Sequence, residues 1–94
     1  MADKLTCEMK LLNKYGMHVR PAGLFAKLAS SFDCEIEVEK DGTAVSGKSI
    51  MALMTLEAVF GTVLRVSATG PQAQEALDAL GALVGRKFDI PDEQ

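Results

Sequence analysis

Tryptophan is absent from these 94 residues, aromatic side chains make up only 5% of them, and histidine occurs once. A core therefore has to be built from the Leu, Val, Ile, Met and Ala that dominate a 48% hydrophobic fraction. A single histidine also argues against a metal cluster, and no metal is expected. Positive charge is in short supply: 10 Lys and Arg against 13 Asp and Glu leave a net charge of −3. Without a broad basic surface to neutralise phosphates, nucleic acid is not an expected partner. No apolar run reaches the roughly 18 residues needed to span a bilayer, and Met1-Ala2-Asp3-Lys4 lacks the basic start and apolar stretch of an export signal. The expectation is a cytoplasmic protein without membrane insertion, whose two cysteines are reduced thiols.

So short a chain has room for one hydrophobic core, so residues 1–94 are read as a single domain with its core at about 4–88. Residues 4 to 12 alternate Leu5, Cys7, Met9 and Leu11 with Thr6, Glu8 and Lys10, the period of a half-buried strand. After the loop Asn13-Lys14-Tyr15-Gly16, Pro21 suits the first turn of a helix, where its missing N–H costs nothing. Leu24, Phe25, Leu28, Ala29 and Phe32 give that helix an apolar stripe ending near Ser31. Cys34, Ile36 and Val38 alternate with Glu35, Glu37 and Glu39, and Asp41-Gly42 suits a type I′ hairpin turn before residues 43 to 46. Ser49 is placed to cap a short second helix.

Residues 62 to 68 form a fourth strand by alternation, and Ala73, Ala76, Leu77, Leu80, Leu83 and Val84 trace a third helix after Pro71. The tail 89–94 is polar, carries a proline and is expected to fray. The order β-α-β-β-α-β-α describes an α+β two-layer sandwich with one sheet face covered. Glu8, Lys10, Glu35, Glu37 and Arg65 would line the wet face.

Gly16-Met17-His18-Val19-Arg20-Pro21-Ala22 sets the sole histidine immediately before the proline-opened helix. A helix start presents unpaired amides and the positive end of the macrodipole, which favours a dianionic phosphoryl group. A neutral ring nitrogen there is a competent nucleophile. The amides around Val19, Arg20, Ala22 and Gly23 are candidate donors to phosphate oxygens, and Arg20 adds a charge-assisted clamp. Transfer through nitrogen divides one reaction into two steps governed by positioning and electrostatics, with no metal or other cofactor needed. From these residues alone, a loop histidine that merely precedes a helix is an equally good reading.

The residue strings go further. Gly16-Met17-His18-Val19-Arg20-Pro21-Ala22, Gly47-Lys48-Ser49-Ile50-Met51-Ala52-Leu53-Met54-Thr55-Leu56 and Ala68-Thr69-Gly70-Pro71 with Glu75-Ala76-Leu77 resemble the HPr family. These are the histidine-containing phosphocarriers of the bacterial phosphoenolpyruvate-dependent phosphotransferase system. The resemblance covers residues 4 to about 88. It implies an open-faced sandwich with antiparallel strand order 1-4-2-3. It also implies that enzyme I phosphorylates His18 on Nδ1, that Arg20 stabilises the phosphate, and that an enzyme IIA domain receives the group for sugar uptake or its regulation. Ser49 falls where the family has a regulatory serine, phosphorylated by an HPr kinase/phosphorylase in organisms that have one, and transcriptional regulators are further implied partners. A carrier of this kind is not an enzyme in the usual sense, and a monomer is expected. Asn13-Lys14-x-Gly16-Met17 and Thr69-Gly70-Pro71-Gln72 resemble the nitrogen-related branch, whereas Gly47-Lys48-Ser49-Ile50-Met51 resembles the serine-regulated sugar branch. Tyr15 departs from the small polar residue common before the glycine.

Ile50 and Leu53 are expected in the core, whereas Met51 and Met54, joined by Leu24, would form a flexible apolar patch for docking several partners. With the family's strand order, two strand spacings of about 4.7–4.9 Å separate Cys7 from Cys34. That exceeds the roughly 7 Å limit for bridged Cα atoms, so no disulfide is expected. Glu35, Glu37, Glu39 and Asp41 are spread along a solvated face instead of converging on a cation. Two other classes stay open. A regulatory docking module would not need the histidine, yet this chain keeps both His18 and Arg20. A small-ligand sensor would need an effector loop, and none is recognisable.

Overall fold

Period-two alternation generates four strands, and the computed structural model, which describes residues 3–91, joins them into one antiparallel sheet. In chain order the elements are β1 (Lys4–Lys10), α1 (Val19–Ser30), β2 (Glu35–Lys40), β3 (Thr43–Ser46), α2 (Ile50–Met54), β4 (Val63–Thr69) and α3 (Ala73–Gly85). A single 3-10 turn follows at Lys87–Asp89. The strand order is β1-β4-β2-β3, the order that the resemblance implies. Asp41 and Gly42 turn the β2–β3 hairpin with φ of 51° and 85°, as a type I′ turn demands at both central positions.

The register places Cys7, Val66 and Val38 in one row across three strands. This row belongs to the face that the helices cover: α3 packs on β1 and β4, and α1 lies against α2 and α3. Leu11, Val38, Leu53, Leu64, Val66 and Leu80 are buried in a single core with Phe25 and Phe88. Removing an aromatic ring such as Phe25 from this core is expected to cost about 3–5 kcal/mol. The opposite face is wet, with Glu8, Lys10, Glu35, Glu37 and Arg65 exposed. Lys4 meets Glu37 there at 3.5 Å, and the Thr6 and Ser67 hydroxyls are 3.0 Å apart. Both cysteines are free thiols, and burial pushes the Cys7 and Cys34 groups above the ordinary thiol range.

Three expectations need adjustment. The buried face of α1 is Pro21, Ala22, Phe25, Ala26 and Ala29, while Leu24 turns outward and Leu28 is half-buried. Small alanines let α1 lie close to its neighbours, so its larger aliphatics fall at the margin. Ile50, expected in the core, is 42% exposed, and only Leu53 of α2 is buried. Ile50 lies at the seam with α1, its Cδ1 3.9 Å from where a Cβ would sit on Gly23. In the tail, Asp89 belongs to the closing turn and Ile90 packs against the core, while residues 92–94 lie outside the described residues.

Candidate functional site

His18 is the residue at which the β1–α1 loop becomes α1. Its backbone is extended, at φ −83° and ψ −169°, and its carbonyl accepts from the Ala22 N–H at 2.9 Å to open the helix. Two supports hold the loop. Asn13 Nδ2 donates to the Gly16 carbonyl at 2.7 Å, and the Met17 N–H donates to the Ala58 carbonyl at 2.9 Å. Gly16, at φ +66°, packs so closely on the chain at Ala58 and Val59 that a Cβ would run into the Ala58 oxygen. Met17 is buried, which fixes the backbone on one side of His18 and leaves the imidazole exposed.

Because α1 begins at Val19, Pro21 is its third residue. The Ala22 amide is engaged by His18, and amides beyond it turn into the helix ladder. The four candidate donors therefore reduce to two, the N–H groups of Val19 and Arg20, which have no intrahelical acceptor. Arg20 is exposed. Both His18 and Arg20 line a cleft of about 80 Å³ together with Asn13, Lys14, Tyr15, Ile90 and Pro91. Tyr15 meets the imidazole edge-to-face at a ring-centroid distance of 6.0 Å, and the Lys14 ammonium stands 5.4 Å from the tyrosine centroid. The cleft thus brings the His18 imidazole and the Arg20 side chain together at the end of α1 where the Val19 and Arg20 amides lack intrahelical acceptors.

Ser49 lies elsewhere, at the start of α2, where its Oγ accepts from the Ala52 N–H at 3.1 Å. The cap expected of it is formed. Met51 is 80% exposed, Met54 41% and Leu24 36%, and α2 packs against α1, which carries Leu24. Asn13, Tyr15, Ile90 and Pro91 were not singled out as site residues. Asn13 is buried, with its Oδ1 lacking a protein partner among the described residues. An asparagine three places before a glycine in a loop is the one available sequence signal. Among the described residues no group of His, Cys, Asp and Glu could hold a metal ion, and no helix is long and apolar enough to cross a membrane.

Over residues 5–86 the sequence matches the family model described as the PTS HPr component phosphorylation site. The chain belongs to the HPr family. It is 44% identical over 77 residues to the phosphocarrier protein HPr of Vibrio cholerae, covering 82% of this chain and 91% of that one. It is 42% identical over 90 residues to the phosphocarrier protein NPr of Escherichia coli K12, covering 95% and 98%. The crystal structure of an HPr from Thermoanaerobacter tengcongensis superimposes with a TM-score of 0.83 at 44% identity, over 95% of this chain and 98% of that one. Similarity to both HPr and NPr matches the mixed branch features of the sequence. Membership in the HPr family carries a phosphocarrier role in the phosphotransferase system.

Proposed function

We propose that this chain carries a phosphoryl group on His18, taking it from phosphorylated enzyme I and giving it to an enzyme IIA domain. In the first step a lone pair on the His18 ring nitrogen attacks phosphorus, the bond to the donor protein breaks, and that protein's group leaves. In the second, a nucleophile on the acceptor attacks the same phosphorus and the bond to the imidazole breaks. The chain supplies position and charge: Val19 and Arg20 amides face the phosphate oxygens, and the Arg20 guanidinium offsets their negative charge. The observation that carries this reading is the meeting of His18 and Arg20 in one small cleft at the start of α1, where the first amides of the helix have no intrahelical acceptor.

Ser49 is a second modification site in this reading. Phosphate on its oxygen would face the first amides of α2 while placing about −2 charge beside Met51 and Met54. A partner covering that patch would have to desolvate the charge, so modification slows docking without unfolding the helix. Leu24, Met51 and Met54 form the docking patch shared by enzyme I and enzyme IIA, and regulators read the Ser49 state.

The deciding experiment is incubation with phosphoenolpyruvate and enzyme I, with intact mass measured before and after acid. Gain of one phosphate that acid removes supports a phosphohistidine. No mass gain, or an acid-stable one, overturns it.

A further inference from the structure

Three consecutive residues after α3, Lys87, Phe88 and Asp89, have φ of 56°, 59° and 56°. Non-glycine residues seldom enter the left-handed region, and a run of three persists only where the surroundings over-determine it. Two anchors do so here. Phe88 is 1% exposed within the core. Across the turn, Arg86 Nε donates to both carboxylate oxygens of Asp89 at 3.0 and 3.2 Å, and the Asp89 and Ile90 N–H groups donate to the Arg86 and Lys87 carbonyls at 3.0 and 3.2 Å. The result is a chain reversal at the end of α3. It delivers Ile90, half-buried against the core, and Pro91 to the lining of the cleft that holds His18 and Arg20. A chain that ended with α3 at Gly85 would leave that part of the cleft to water.

We infer that residues 86–91 form a positioning strap for His18, in which Phe88 is the anchor and Ile90 with Pro91 is an apolar wall that orients the imidazole and keeps water from a phosphoryl group on it. The inference rests on the phosphohistidine reading. Neither side chain has a group to donate to phosphate, proline has no N–H, and the Ile90 N–H is engaged by the Lys87 carbonyl, so both act through the ring and the local solvent. Lower water content strengthens the attraction between phosphate and Arg20. It also slows the competing hydrolysis, in which a water oxygen attacks phosphorus, the P–N bond breaks and the ring nitrogen is released with the proton balance taken up by solvent.

The test uses the full chain. Ile90→Ala removes the wall and keeps the Phe88 anchor, while Pro91→Ala alters an exposed position and leaves the fold intact. Phe88→Leu is the conservative control. For each, the imidazole NMR signals are recorded before phosphorylation, and the half-life of acid-labile phosphate is measured at neutral pH after enzyme I is removed. Ile90→Ala is expected to move the His18 ring signals and shorten the half-life several-fold, Pro91→Ala to do both in smaller measure, and Phe88→Leu to remain near the parent chain. Unmoved ring signals and unchanged half-lives in folded Ile90→Ala and Pro91→Ala overturn the strap and leave the carrier reading intact. A parent chain that takes no acid-labile phosphate overturns the carrier reading and, with it, the shielding role.

Discussion

Helices α1 and α2 both begin after an extended residue, yet their first turns are completed differently. At α2 the Ser49 oxygen accepts from the amide of Ala52, the third residue of the helix. The third residue of α1 is Pro21, which has no N–H, and His18 makes no side-chain cap bond. One helix start is closed by its own side chain. The other keeps two amides facing outward, and proline removes the donor that an internal cap would most readily use. The same local element therefore serves as a structural stop at Ser49 and as an anion-receptive end at His18. Phosphorylating Ser49 would set an anion at the start of α2, as the proposed phosphohistidine would at the start of α1.

The largest expected effect comes from breaking the open end outright. His18→Ala should abolish acid-labile phosphate uptake and onward transfer, with an unchanged far-UV spectrum because the side chain is exposed. Acid-labile phosphate persisting in that variant would place the carrier residue elsewhere. Arg20→Ala keeps the two amides and removes the clamp. Loss of a charge-assisted bond of about 1.5–3 kcal/mol slows transfer roughly ten- to a hundredfold in both directions. Arg20→Lys should recover only part of this, since an ammonium lacks the planar fork. Unchanged rates in Arg20→Ala would show that the amides suffice.

The closed end is tested by smaller changes. Met51→Asp puts a charge on the most exposed side chain of α2 and should weaken binding to enzyme I and to enzyme IIA alike, by roughly 1–2 kcal/mol if it lies near the centre of the contact. Titration calorimetry with each partner reads the loss, and normal affinity for either one separates their footprints. Ser49→Ala should lower unfolding free energy by about 1 kcal/mol, the usual worth of a cap, while leaving phosphoryl uptake intact. Ser49→Asp should keep the cap and slow enzyme I-dependent phosphorylation. A Ser49→Asp chain as fast as the parent would reduce Ser49 to a structural cap.

The sheet was legible because period two is a strong signal and because Asp41-Gly42 admits few turns other than the one observed. The places of His18, Arg20 and Ser49 at helix starts were legible too, whereas the roles proposed for them came from the family resemblance and not from position alone. What periodicity did not resolve was which part of an apolar stripe lies deepest. In α1 the close neighbours select alanines over Leu24, and five-residue α2 has too few turns to reveal that Ile50 sits at a seam. The placement of Ile90 and Pro91 at the cleft was not readable at all. It depends on three successive left-handed residues held by Phe88 in a core assembled from distant strands, a tertiary outcome that no local propensity favours.

The smallest expected effect sharpens the contrast between the two helix starts most directly. His18→Ser places at α1 the residue that caps α2. In an ordinary helix a serine there bonds the amide of the second or third residue and contributes about 1 kcal/mol. Here the third residue is Pro21, so only the Arg20 amide remains as a donor. The gain in unfolding free energy should therefore be below about 0.5 kcal/mol, at the low end of the cap scale. Pro21→Ala on the His18→Ser background restores the missing donor. The serine's contribution, measured by urea denaturation as a double-mutant cycle over the two positions, should then rise toward the value found at Ser49. A full cap energy for His18→Ser with Pro21 in place would show that the Arg20 amide alone can close the helix. Proline would then not be what holds this end open.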